Sequence, residues 1–359
     1  MKKIYFILCV LFCACSNSSK IDLQINNKVI IPKIYNVKKS NTVIVIDGIA
    51  DETSWKDAQF TDDFIDIEGY KIPSQKTNAK MLWDEKYLYV YAKLFEDHIW
   101  GDITQRDEVI YYNNDFEIFI NPNDHVFNYG EIEINALGTE WDLLLTKPYR
   151  LGGKADSSWN INGLKSAIHI DGTLNDSNDI DNYWTVEMAI PLEEIIKLSK
   201  KQKRVSVSDV WRINFSRVNW DFDIINGKYS RKKENDKYLP EYNWVWSPQG
   251  KINMHIPENW GYLIFNDYEI DNHSLKTDLE LEHTLYAVFR EVKFGYLKYL
   301  NNEEEGTYVE FESEKINGKT IFSNFLKTKD GFTISTNFKM GVLEYSIDQS
   351  GLILSLIHI

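Results

Sequence analysis

Cysteine is nearly absent from this 359-residue chain: Cys9, Cys13 and Cys15 stand in its first fifteen positions and none follows. Once a leader ending at Ala14 is removed and Cys15 is modified, no free thiol and no internal disulfide remain. Positive charge is in short supply too, with 40 Lys and Arg against 54 Asp and Glu and a formal charge of −14. That balance argues against nucleic acid and anionic surfaces as partners and suits neutral ligands or cations. The apolar run from Ile4 to Phe12 is too short to anchor the chain across a bilayer. Aromatics, in contrast, abound. Eleven Trp and 21 Tyr, within a 43% hydrophobic composition, supply a core and also platforms for flat, C–H-rich faces such as those of sugars.

Lys2 and Lys3, the apolar stretch behind them and Ala14 before Cys15 resemble a bacterial lipoprotein signal, with cleavage before Cys15 and lipid on its thiol. The expected organisation is a signal peptide over 1–14, a polar tether over 15–28, a β-sandwich over 29–268 and an appendage over 269–353. Residues 354–359, LSLIHI, look like the translation of a sequencing adapter, so 354–359 are set aside as non-native.

The stretch from Asp115 to Leu145 organises the rest. Its residues alternate with period two, and Asn121-Pro122-Asn123-Asp124 and Leu137-Gly138 break it into strands. Phe116, Ile118, Ile120, Ile132 and Ile134 point one way; Asp115, Glu117, Glu131, Glu133 and Asn135 point the other. One face is oily and the other is dense in carboxylates, which makes it either solvated surface or the floor of a groove. Before it, the spacing predicts a first strand over Thr42–Ile46, a helix capped by Asp51 with Trp55 as a core plug, and a hairpin of Thr77–Trp83 with Tyr87–Phe95. Tyr111 and Tyr112 fall in an aperiodic loop, where binding residues collect. After it come strands at Leu164–Ile170, Tyr183–Ile190, Trp211–Val218 and Tyr262–Phe265, an irregular insertion over Asp221–Tyr238, and a helix opened by the capping box Thr277–Glu280. The fold class is all-β: an antiparallel, jelly-roll-like β-sandwich with a small C-terminal α+β appendage.

The segments IDGIADETSW, AKMLWDEKYLYVYAKLFED, DFEIFINP, YGEIEINALGTEWDLLL, YWTVEMAIP, WRINFSRVNW and NWVWSPQGKINMHIPENWGYLIF together resemble the family 9-like carbohydrate-binding domains of Bacteroidetes-type lipoproteins. The resemblance covers about Thr42 to Asn266. It implies a jelly-roll-like sandwich, structural calcium in some members, and a concave site that holds sugar chain ends between two rings. Carried over by position, the first ring falls at Tyr111 or Tyr112, and polar contacts fall at Glu117, Glu133 and Asn135. The second ring falls near Met254, which is not aromatic, and an arginine contact falls at Glu133. Trp244 or Trp246 is then the substitute ring, and Arg212 offers bidentate contacts to vicinal hydroxyls.

The expected function is non-catalytic carbohydrate binding by a lipid-anchored cell-envelope protein of the outer membrane, in support of glycan capture or breakdown. The carbohydrate-binding set is Tyr111, Tyr112, Glu117, Glu133, Asn135, Arg212 and Trp244, with lipidation at Cys15. Two alternatives stay open: a glycoside hydrolase using Glu117, Glu131 or Glu133, and a haem-binding sandwich suggested by Met254-His255, which point to opposite faces if extended, so that a second axial ligand would come from elsewhere. Calcium is the one metal considered. Asp84, Asp97, Asp115 and Asp142 stand at strand ends, but their spacing is that of solvated acids and matches no dedicated calcium loop.

Overall fold

The computed structural model of the chain describes residues 19–25, 29–267, 273–312, 314–316, 318–338 and 343–358; the signal segment and Cys15 lie outside them. Two short strands come first, β1 (Ser19–Ile21) and β2 (Ile34–Lys39), then helix α1 (Thr53–Asp57) and β3 (Ile65–Asp66). The expected hairpin forms as β4 (Thr77–Trp83) and β5 (Tyr87–Phe95). A meander of β6 (Asp115–Asn121), β7 (Tyr129–Asn135) and β8 (Glu140–Leu145) follows. Then come β9 (Ala155–Asp156), β10 (Lys165–Asp171), β11 (Tyr183–Pro191), helix α2 (Leu192–Ile196) and β12 (Val210–Asn219). The charged insertion is more regular than its composition suggests: β13 (Phe222–Ile225) pairs with β14 (Lys228–Arg231), and β15 (Lys233–Glu234) with β16 (Lys237–Tyr238). The layer closes with β17 (Tyr242–Val245) and β18 (Gly261–Asn266).

Thirteen of these strands form one curled sheet in the order β10-β11-β5-β4-β2-β18-β12-β6-β7-β8-β9, with β17 on β12 and β3 on β17. The curl brings two faces together. Leu88, Val90, Ala92 and Leu94 of β5 and Val186, Met188 and Ile190 of β11 share one core with Phe116, Ile118, Ile120, Ile132, Ile134, Ile213 and Phe215. Those are the apolar halves of the alternating patterns, and their removal from water drives the closure. Arg217 and Glu96 are buried inside the sandwich as an ion pair at 3.3 Å.

Three expectations are corrected here. Residues 42–46 form no strand: Val43 and Val45 are exposed while Ile44 packs beside Trp55, Tyr89 and Tyr91 on the outside of the sheet. The strand is β2 instead, and it runs parallel to both β18 and β4, so the sheet is mostly but not wholly antiparallel. Asp51 does not cap α1; Glu52 occupies that position, and its carboxylate accepts the Val45 N–H from 2.8 Å.

Helix α3 (His273–Lys293) starts four residues before the expected capping box. It packs on a second sheet built from β19 (Tyr308–Phe311), β20 (Glu314–Ile316), β21 (Lys319–Thr328), β22 (Gly331–Phe338), β23 (Leu343–Asp348) and β24 (Ile353–His358). The segment read as an adapter scar supplies most of β24, paired with β23. The expected tether is also corrected: Ser19–Ile21 pairs parallel with β19, and Leu23 and Ile25 are buried in the C-terminal core. Among the described residues no helix is long and apolar enough to cross a membrane.

Candidate functional site

The polar face of the β6–β7 hairpin forms the floor of a cavity of about 330 Å³. Register explains the floor: Glu117 stands opposite Glu133, Phe119 opposite Glu131, Glu133 opposite Trp141, and Glu117 opposite Ser216 of β12. Residues paired across antiparallel strands share a face, so these side chains rise together. Tyr111, Trp141 and Tyr149 supply rings to the lining, and Glu241, Asn243 and His255 add polar groups.

Three carboxyls, Glu117, Glu131 and Glu133, line this floor, Asp115 stands beside Glu117 on the same face of β6, and all four are buried. Burial pushes the Glu117 carboxyl up to about 7. Burial, and then the nearby Glu117 charge, hold Asp115, Glu131 and Glu133 well above the usual carboxylate range. Glu133 Oε2 accepts the Tyr111 backbone N–H from 3.1 Å, and Asp115 Oδ1 accepts that of Val218 from 3.2 Å. Asp115 Oδ2, Glu131 Oε2 and the indole Nε1 of Trp141 are buried without a hydrogen-bond partner among the described residues. His255 stays neutral, its ring pushed down to about 4 by burial and then by Arg150. Its Nδ1 lies 3.0 Å from the Tyr129 hydroxyl.

Of the seven residues expected to bind, Tyr111, Glu117 and Glu133 line the cavity. Tyr112 stands at its edge, exposed, against the Tyr111 ring at 4.9 Å and under the Arg231 guanidinium at 4.3 Å. Three do not belong. Asn135 is consumed by the fold: its Nδ2 donates to Ile103 O and Asn113 Oδ1, and its Oδ1 accepts the N–H groups of Leu137 and Thr139. Arg212 shares the polar face but sits near its far end, paired with Asn121, ion-paired to Glu282 of α3 and lying 4.7 Å over the Tyr262 ring. Trp244 is one residue out of phase. It stands opposite Arg217, which places it on the core face with that guanidinium 5.0 Å from its ring. Trp246 is likewise core.

The rings that take its place are Trp141 and Tyr149. Trp141 was discoverable, because extending the alternation of β7 into β8 puts it on the Glu133 face; Tyr149 comes from a loop and carries no periodic signal. The carboxylates considered for calcium do not converge. Asp84 caps the β4–β5 turn by accepting the N–H groups of Lys86 and Tyr87, and Asp142 holds Arg106 and the Ile161 N–H. Asp97 is exposed, and only Asp115 stands beside the floor, next to Glu117 and Glu133. Met254 and His255 also line the cavity, but Met254 is wedged among Phe119, Tyr129 and Trp260 and His255 is engaged by Tyr129.

Residues 46–209 match the family described as "Carbohydrate family 9 binding domain-like". No curated protein matches the chain. Among solved structures, a candidate carbohydrate-binding protein from Bacteroides uniformis aligns at 16% identity, over 66% of this chain and 100% of its own, with a TM-score of 0.48. A carbohydrate binding module family 9 protein from Caldicellulosiruptor kristjanssonii, in complex with cellotriose, aligns at 15% identity over 67% of this chain and 97% of its own, with a TM-score of 0.44.

Proposed function

We propose, for a chain whose residues 46–209 match the carbohydrate family 9 binding domain-like family, non-catalytic binding of a saccharide in the cavity floored by Glu117, Glu131 and Glu133. One observation carries the reading. Among the described residues, the cavity lining presents a buried donor without an acceptor, Trp141 Nε1, and a buried acceptor without a donor, Glu131 Oε2. Leaving such groups unpaired is costly, and a hydroxyl, which both donates and accepts, answers both. The rings of Tyr111, Trp141 and Tyr149 add apolar surface for the C–H faces of a sugar.

Binding is favoured over hydrolysis on geometry. Glu117 and Glu133 stand directly opposite each other on neighbouring strands of one sheet face, so both reach a ligand from the same side. Glu131 and Glu133 stand side by side on one strand and do not flank a glycosidic bond from two sides. The test is a glycan array followed by calorimetry on the chain from Ser16 onward. Tyr111→Ala is expected to weaken binding by about tenfold through lost ring contact. Trp141→Phe, which keeps a six-membered ring but removes the indole N–H together with the five-membered ring that carries it, is expected to cost about 1 kcal/mol or more. No retained glycan, or unchanged affinity in both variants, sinks the reading.

The same proposal places the protein on the cell envelope, held by lipid on Cys15 and supporting glycan capture. The leader sequence supports this part. Cys15→Ala is expected to move the protein from the membrane pellet to the soluble fraction.

A further inference from the structure

We propose that Asp115, Glu117 and Glu133 hold a calcium ion in the floor of the cavity. Asp115 and Glu117 rise from one face of β6, and Glu133 stands directly across from Glu117 on β7. One carboxylate oxygen from each lies within 4.8 Å of the others. Two oxygens on the same calcium, each bonded at about 2.3–2.6 Å, are at most about 5 Å apart, so each pair is spaced closely enough to share one ion. The donors are all oxygen, with no thiolate or imidazole among them, which is the set of a hard cation and not of zinc.

A second observation points to a ligand. Asp115 is fully buried and its Oδ1 is used by the Val218 N–H, while Oδ2 faces no donor among the described residues. A carboxylate oxygen in that position is satisfied by a proton or by a cation. Lys and Arg are absent from the cavity lining, so the lining itself offers no fixed positive charge to the floor. The backbone already fixes the site, because all three ligands stand on adjacent strands of one sheet. Calcium takes roughly six to eight oxygens, so positions remain on the cavity side for water or for hydroxyls of a bound molecule. The cation site stands on these carboxylates alone and does not require the saccharide reading.

The experiment uses the full chain, purified in mild detergent and stripped with EDTA. Calorimetry with calcium chloride is expected to give one site per chain, and terbium is expected to show emission sensitised by Trp141 and Tyr111 that calcium displaces. Asp115→Asn and Glu117→Gln are each expected to weaken binding by at least about tenfold, as loss of a ligand or its support does in other metal sites. Asp57→Asn, an exposed acid on α1, leaves it unchanged. Should either variant fail to fold by circular dichroism, the wild-type thermal midpoint decides: a rise with calcium and none with sodium supports the site, and no rise overturns it. Absence of calcium uptake at millimolar concentration overturns it as well, as does undiminished binding in both folded variants. Glucosamine bound without metal and lost in Glu131→Gln, with no calcium uptake, assigns the acids to an ammonium group; it overturns the cation site and leaves saccharide binding intact. Calcium uptake by a chain that retains no glycan has the reverse meaning.

Discussion

His255 shows how one side chain reports its surroundings. Burial and the Arg150 guanidinium keep it neutral in the folded protein, with a value near 4, against about 6.5 in an unfolded chain. The unfolded state therefore binds the extra proton between these values, so this contribution to stability is full above about pH 6.5 and is lost as pH falls toward 4. The raised acids of the floor act with the opposite sign, so the histidine is isolated by comparison with His255→Phe. Chemical denaturation at pH 7 and pH 4.5 is expected to show the wild type losing about 2 kcal/mol more than the variant over that range. Equal losses would mean that His255 is solvated. None of this was legible in the sequence, where Met254-His255 suggests one axial ligand of a haem whose second ligand would come from elsewhere; the partners of His255 come from Tyr129, Tyr149 and Arg150, more than a hundred positions away. Tyr111 and Glu117 were legible, the first because an aromatic in an aperiodic loop has no core of its own, the second by alternation.

Strands are held in register by pairs, and here two buried charges tie one half of the sandwich to the other. Arg217 on β12 reaches Glu96 just past β5, and it also donates to Thr77 Oγ1 and to Phe95 O, at 3.1 and 2.8 Å. Glu96 in turn accepts the indole N–H of Trp184 on β11 from 2.6 Å. Arg217→Met leaves that carboxylate buried without its cation and is expected to cost about 3–5 kcal/mol, whereas the double change with Glu96→Gln recovers a large part. A double-mutant cycle by urea unfolding checks this, and additive losses would sever the proposed link. Arg217 continues the Trp211, Ile213 and Phe215 face of β12, so alternation turns it inward, but its partners Thr77, Phe95 and Glu96 lie more than a hundred positions away and leave no local signal. In a sheet that curls, the inner face closes over its own charged residues, and alternation alone does not tell an enclosed polar residue from a solvated one.

At the scale of the molecule, the C-terminal unit is docked by ionic contacts and completed by the N-terminus. Glu258 is fully buried beside Arg150 and, from α3, Arg290; burial opposes its ionisation, yet the two guanidiniums hold its carboxyl below the usual range. Leu23 and Ile25 fill the core under α3 together with Leu285, Phe325 and Ile334. Leu23→Asp puts a charge into that core and is expected to destabilise the C-terminal unit by about 3 kcal/mol or more. Limited proteolysis is the measurement: cleavage within 273–353 is expected to rise while the fragment spanning 34–266 persists. Equal resistance of wild type and variant would show that Leu23 is not part of the unit.

The sequence by itself determined the oily and polar faces of β6, β7 and β12, the β4–β5 hairpin and the confinement of cysteine to the first fifteen positions, since each follows from local alternation or from counting. Tertiary structure alone decided which acidic face is enclosed, that Trp244 is turned inward while Tyr149 lines the cavity, and that residues 19–25 pack with the C-terminal core. The physical reason is that side-chain direction along a strand is a local property, whereas enclosure depends on how distant strands curl and pair. A parallel insertion such as β2 between β18 and β4, joining residues more than two hundred positions apart, leaves no periodic trace in the segment that makes it.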